Sequence, residues 1–145
     1  MRKPRPFRLT APRILESDRQ SQIIDWLRVE QAAGRVSWFA RVNSGAVKAG
    51  ARWIVNYRLY LRGNVNPRSK GYADLHGMLP DGRYFAFEVK QPGEKATPEQ
   101  LVFIASVIAA GGIADVVYGF EDVEQALKQA TKTPLVRGIA PVAAG

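Results

Sequence analysis

A chain of 145 residues with 46% hydrophobic content is sized for one compact domain that buries roughly 70% of its unfolded surface. With no cysteine and a single histidine, His76, it excludes disulfides, thiolate zinc sites and cysteine nucleophiles, and argues against a histidine-built zinc cluster. A formal charge of +8 and a pI near 10.1 point to a polyanionic partner, nucleic acid above all.

Residues 1–13 read as a flexible basic arm, with Arg2, Lys3, Arg5, Arg8 and Arg13 among prolines. The arm lacks a hydrophobic signal core, and no apolar run approaches the roughly 20 residues that span a bilayer, so a cytoplasmic protein without membrane contact is expected. A first helix is predicted from Glu16 to Ala33, ended by Gly34, with Ile23, Ile24 and Leu27 as its apolar stripe. Glu16 and Gln20 extend that stripe toward the N-terminus at i, i+4 spacing. Val36 to Val42 reads as a strand. A second strand is predicted from Arg52 to Leu61, with Trp53, Val55, Tyr57, Leu59 and Leu61 on one face. Its opposite face offers Arg52 and Arg58 to phosphates and Tyr60 to a base.

A loop through Gly63 to Gly71 leads to a strand over Tyr72–Leu79, and the turn signal Pro80-Asp81-Gly82 joins it to Arg83–Lys90 as a hairpin. Thr97 is the predicted N-cap of a second helix, with Pro98 at its first position and Gln100 placed for a capping box. That helix runs to Ala110 and stops at Gly111-Gly112. Its stripe is Gln100, Phe103 or Ile104, Val107 and Ile108. A strand over Ile113–Tyr118 and a helix over Glu121–Thr131 follow. The order αβββ(β)αβα predicts an α/β fold around a mixed central sheet, with 14–132 as one domain and 133–145 as a C-terminal tail.

The chemistry concentrates between Gly71 and Gln100. Alternation along Tyr84-Phe-Ala-Phe-Glu-Val-Lys90 sends Glu88 and Lys90 to one face, about 7 Å apart at roughly 3.3 Å rise per residue. Glu-x-Lys alone reads as a surface ion pair. Asp74 upstream, on the neighbouring strand of the hairpin, changes that, because two carboxylates from adjacent strands can converge on one cation. With so few nitrogen and sulfur ligands, oxygen must hold that cation, which favours Mg2+ or Mn2+. Reference pKa values near 3.9 and 4.3 predict both acids ionised at neutral pH. Lys90 would orient water or neutralise charge growing on a phosphorane-like transition state. Gln100 serves either the site or its capping box, and Glu16 either the metal or the helix N-terminus. His76 lies two residues beyond Asp74 on the same face, where a lone histidine is more often structural.

The ordered run Glu16-x-x-x-Gln20, Arg41-Val-Asn43-Ser44-Gly45, Gly71-x-x-Asp74-Leu75, Phe87-Glu88-Val89-Lys90, Gln100 and Gly111-Gly112 resembles the VRR-NUC branch of the PD-(D/E)xK nuclease superfamily. The resemblance covers residues 14–118 and departs from the superfamily name at Ala73, where proline is usual. It implies a restriction-endonuclease-like αβββαβ core and metal-dependent cleavage of DNA phosphodiesters. It also implies metal ligands at Asp74, Glu88 and the Val89 carbonyl, catalysis by Lys90, and support from Glu16 and Gln100. Candidate DNA contacts are Arg41 and Asn43 with the basic cluster Arg52, Arg58, Arg62, Arg68 and Lys70. Stand-alone members are similar to Holliday-junction resolvases, which implies a homodimer on branched DNA, with Trp53, Val55, Tyr57 and Leu59 as interface candidates. A general or restriction-like DNase, and a non-catalytic nucleic-acid-binding protein, remain alternatives on sequence alone.

Overall fold

The computed structural model describes residues 14–42, 47–54, 57–63 and 70–133. The basic arm, Asn43, Val55, Arg68 and the tail from 134 onward lie outside the described residues.

Helix α1 (Glu16–Ala32) begins where the Asp18 carboxylate accepts the Leu15 N–H at 3.2 Å. Glu16 and Asp18 set negative charge in the first turn, against the positive end of the helix dipole. The helix ends at Ala33, and Gly34 turns the chain away at φ +75°. Its buried face is Gln20, Ile23 and Leu27, with Ile24 half-buried. Strand β1 (Trp38–Arg41) follows, then a short hairpin of β2 (Val47–Ala49) and β3 (Arg52–Ile54). Next come β4 (Leu75–Met78), β5 (Tyr84–Val89), α2 (Pro98–Ala109), β6 (Ile113–Val117) and α3 (Phe120–Lys132).

The main sheet has the order β1-β4-β5-β6, a mixed sheet in which β1/β4 and β4/β5 are antiparallel and β5/β6 parallel. The parallel pair needs a crossover, and α2 provides it. The β4–β5 turn closes where the Gly82 N–H meets the Leu79 carbonyl at 3.0 Å, as Pro80-Asp81-Gly82 predicts. Alternation along β5 then sorts two cores. Phe85, Phe87 and Val89 pack with Ile23 and Leu27 of α1 and Val123 and Leu127 of α3. Ala86 faces the other way, onto Phe103 and Val107 of α2 and onto Leu59. The described residues form a mixed α/β fold with three helices, α1 and α3 on one face of a four-stranded sheet and α2 on the other. Among the described residues no helix is long and apolar enough to cross a membrane.

Two glycines mark close approaches. A Cβ at Gly77 would run into the Phe85 ring and the Trp38 carbonyl, so β1 can pair with β4 only over a hydrogen. Gly71, at φ +96°, brings its backbone so near α2 that a Cβ there would lie 2.6 Å from the Glu99 carbonyl oxygen. That contact fixes the approach of the chain to Asp74.

Several expectations need correction. The strand predicted from Arg52 to Leu61 ends at Ile54. Tyr57, Leu59 and Leu61 do share a face, but they pack against the α2 side of the core, whereas Trp53 is 65% exposed. Period-2 alternation describes any extended segment lying on a core and does not require one continuous strand. The same packing removes Leu59 and Tyr57 from the proposed interface. The hairpin strand β2 was not anticipated. Ile108, expected in the α2 stripe, is exposed, because Phe103, Ile104 and Val107 fill the buried face.

Phe87 is fully buried, with its ring 5.6 Å from that of Phe85. Phe87→Ala should therefore lower unfolding stability by about 3–5 kcal/mol, the range for emptying a phenylalanine site. A loss under about 1 kcal/mol in urea melts would mean this face is not the principal core.

Candidate active site

The β4/β5 register pairs Leu75 with Phe87, and one further step sets Asp74 opposite Glu88. Directly opposed residues have Cβ atoms about 5 Å apart, so the two carboxyl groups share one space. The face is the one turned toward α2. Asp74 is anchored twice: its Oδ2 accepts the Val89 N–H at 2.9 Å and its carbonyl accepts the Val42 N–H at 2.8 Å.

Glu88 is 2% exposed, which overturns the surface-ion-pair reading of Glu-x-Lys. Its Oε1 accepts the Lys90 ammonium at 3.0 Å and the Gln100 amide at 2.5 Å. Its Oε2 is buried and receives no hydrogen bond from a donor, while the Asp74 and Glu88 carboxyls lie close enough to share a proton. Burial, then the nearby charge of Asp74, pushes the Glu88 carboxyl up to about 7. Asp74 is also raised, by burial against the opposing pull of the Val89 amide, Lys90 and Arg41. Glu88 thus departs from the expectation of a simply ionised acid at neutral pH. Two ionised carboxylates can only accept hydrogen bonds, so close approach in a dry site requires a shared proton or a cation between them.

Burial alone would lower Lys90, but the hydrogen bond from its ammonium to Glu88 and the charges of Glu88, Asp74 and Glu16 outweigh it. Lys90 therefore remains an ammonium and cannot take up a proton at neutral pH. Gln100 fills both of its expected roles. Its Oε1 accepts the Thr97 N–H at 2.8 Å, Thr97 Oγ1 accepts the Gln100 N–H at 3.3 Å, and its Nε2 remains free for Glu88. A capping box thus sets the rotamer of a site residue.

From α1, the influence of Glu16 on Lys90 brings the helix N-terminus to the same cluster. Gln20 Nε2 donates to Glu16 Oε1 at 3.4 Å, and Gln20 Oε1 is buried without a partner. Gln20, which stands in both the ordered motif run and the apolar stripe of the sequence, is tied to the cluster through Glu16. A glutamine on an otherwise apolar face, four residues after an acid, was the available signal.

Val89 meets the acids through its backbone, while its side chain lies in the opposite core. Arg41 acts on Asp74 from the end of β1. Arg52, Arg58, Arg62 and Lys70 are exposed on the segment that runs from the hairpin to Gly71. His76 stays on the Asp74 face but engages tyrosines: Tyr84 Oη lies 3.1 Å and Tyr72 Oη 3.3 Å from its Nδ1. Burial lowers its pKa, and a neutral ring accepting at Nδ1 carries its proton on Nε2. The geometry gives it a structural place.

Among the described residues no group of three or more His, Asp or Glu side chains converges. A facing pair of carboxylates suits Mg2+ or Mn2+, which take one or two carboxylates and complete their shell with other oxygens and water. The buried, unpartnered Oε2 of Glu88 beside Asp74 is the position such a cation would satisfy.

No protein-family model matches the chain, and no curated protein matches it.

Proposed function

We propose that the chain is a divalent-metal-dependent deoxyribonuclease of the VRR-NUC type, with Asp74, Glu88, Lys90 and Gln100 at its centre. The observation that carries this reading is the Glu88 carboxylate: buried, opposite Asp74, bonded to Lys90 and Gln100 through one oxygen, and unpartnered at the other. The element order is in keeping with this reading, since α1, β1, β4, β5, α2 and β6 run in the order αβββαβ when the β2–β3 hairpin is left out.

Asp74 and Glu88 would hold Mg2+ or Mn2+, with the Val89 carbonyl as the third ligand implied by the resemblance. A bound cation supplies Lewis acidity to a phosphoryl oxygen and makes a water more acidic. The protein does the rest. Val89 N–H fixes Asp74, and Gln100 holds Glu88 in one rotamer. Lys90, permanently cationic, faces the charge that grows on the phosphoryl oxygens as water adds to phosphorus and the bond to the sugar oxygen breaks. Arg41 adds positive potential beside Asp74. One acid pair makes one cut, so paired cuts on branched DNA would need a second chain.

The test is cleavage of branched, flapped, single-stranded and linear DNAs with Mg2+, Mn2+ or excess chelator. Cutting only with the cations, strongest on branched DNA, is expected. Equal cutting of linear duplex would favour a general DNase. Full activity in chelator, or binding without any cutting, would overturn the metal-hydrolase reading.

A further inference from the structure

The β2–β3 hairpin is unlike the rest of the molecule. It forms its own two-stranded sheet, joined by Gly50-Ala51 with Gly50 at φ +62°. All six of its strand residues are exposed. An isolated two-stranded hairpin is marginal in water, and this one also exposes Val47, Trp53 and Ile54. Its register pairs Lys48 with Trp53 on one face, where the ammonium lies 6.0 Å from the indole centroid. Most of the indole still faces solvent.

Charge selects what covers this face. From Arg41 to Ala73 the sequence contains no Asp or Glu, while Lys48, Arg52, Arg58, Arg62 and Lys70 are exposed along it. A twofold interface would set this patch against itself, cation to cation. A polyanion meets no such repulsion. Position agrees: Tyr57, three residues past Ile54 and so within roughly 10 Å of chain, packs its ring 5.5 Å from Tyr72 and feels the charge of Glu88. The hairpin is therefore tethered by a short stretch of chain to a residue that senses the carboxylate site.

We infer that the β2–β3 hairpin is a single-strand reader: Trp53 stacks on an unpaired nucleobase while Lys48, beside it on the same face, holds a neighbouring phosphate. The inference deepens the proposed activity and rests on it for the choice of DNA as the polyanion. An indole needs a free base face, and a fully paired duplex has none away from its ends. The hairpin thus directs the acid pair to sites where unpaired strand adjoins duplex.

The experiment uses the full chain in chelator, with labelled duplexes of equal length, one fully paired and one with a single-stranded overhang. Binding is read by anisotropy. Trp53→Ala should weaken overhang binding by about 5- to 150-fold, the equivalent of one lost stack, and change duplex binding less than threefold. Trp53→Phe should recover most of the loss. Thermal melting should not move, because the side chain is exposed. Unchanged overhang binding, or equal loss on both DNAs, overturns the inference while leaving metal-dependent cutting untouched. So does a Trp53→Ala protein whose light scattering falls from dimer to monomer with DNA affinity intact, since the face would then be a contact between copies. A selective overhang defect in a protein that cuts no DNA with either cation supports the reader and removes the nuclease.

Discussion

Lys90→Ala should lower phosphodiester turnover by about 10²–10³, the usual cost of removing one preorganised charge from a transition state. DNA affinity should stay within a few-fold. The direction follows from the protonation state. Lys90 donates to Glu88 at 3.0 Å and has its pKa raised by that bond and by the surrounding acids. It is therefore a fixed positive charge, and its loss removes stabilisation that matters most when negative charge peaks. Asp74→Ala and Glu88→Ala should cost at least as much, because each removes one of the two facing carboxylates that would hold the cation. Gln100→Ala should cost less, since Glu88 keeps Lys90, although Thr97 loses its reciprocal cap. The fold should survive in Lys90→Ala, because Glu88 can answer the loss of its partner by taking a proton. Turnover by Lys90→Ala within threefold of wild type, with melting unchanged, would remove the lysine from the mechanism.

Much of this site is legible from local pattern. Period-2 alternation puts Glu88 and Lys90 on one face, and the Pro80-Asp81-Gly82 turn sets the hairpin that brings Asp74 opposite. The capping box at Thr97 and Gln100 is equally local, which is why the α2 start was placed correctly. What sequence misses depends on depth and long-range contact. No local pattern states that Glu88 is buried, because α2, closed on it through Gln100, comes from another part of the chain. Reference pKa values therefore miss the upward shift of both acids. Gln20 stands in the motif run, but its burial and its unpartnered oxygen are visible only once α1 lies against the sheet. The region from Val47 to Leu61 misled in another way. Its alternation is genuine on both sides of Val55, but the chain leaves the hairpin and lies down on the α2 face, so Trp53 and Leu59 meet opposite environments.

The metal-free protein should become less stable as pH rises through the Glu88 range, and Mg2+ or Mn2+ should reverse that loss. Glu88 is raised from 4.5 to about 7 in the folded state. The folded protein then holds a proton that the unfolded chain has lost, so stability from this group is complete below pH 4.5 and disappears as pH passes about 7. At 1.36 kcal/mol per pH unit that displacement is worth about 3 kcal/mol, and Asp74 shifts in the same direction. His76 opposes it, because its lowered pKa makes stability rise with pH near and below 6.5. Glu30 and Asp81, both lowered by arginine hydrogen bonds, act only at more acid pH. Comparison with Glu88→Gln cancels His76, Glu30 and Asp81, and reads Glu88 together with its effect on Asp74 and Lys90. The variant should lack the Glu88 contribution to the pH slope, gain stability relative to wild type at pH 8 in chelator, and be inactive. A cation at 100 times its Kd should add about 2.7 kcal/mol to wild type and far less to the variant. Binding should also release protons near pH 7. The decisive measurement is urea unfolding of both proteins at pH 5 and pH 8, with and without Mn2+. Equal stabilisation of the two proteins by the cation, or a metal-free wild type whose advantage over Glu88→Gln grows with pH, would show that Glu88 neither carries the strained charge nor holds the metal.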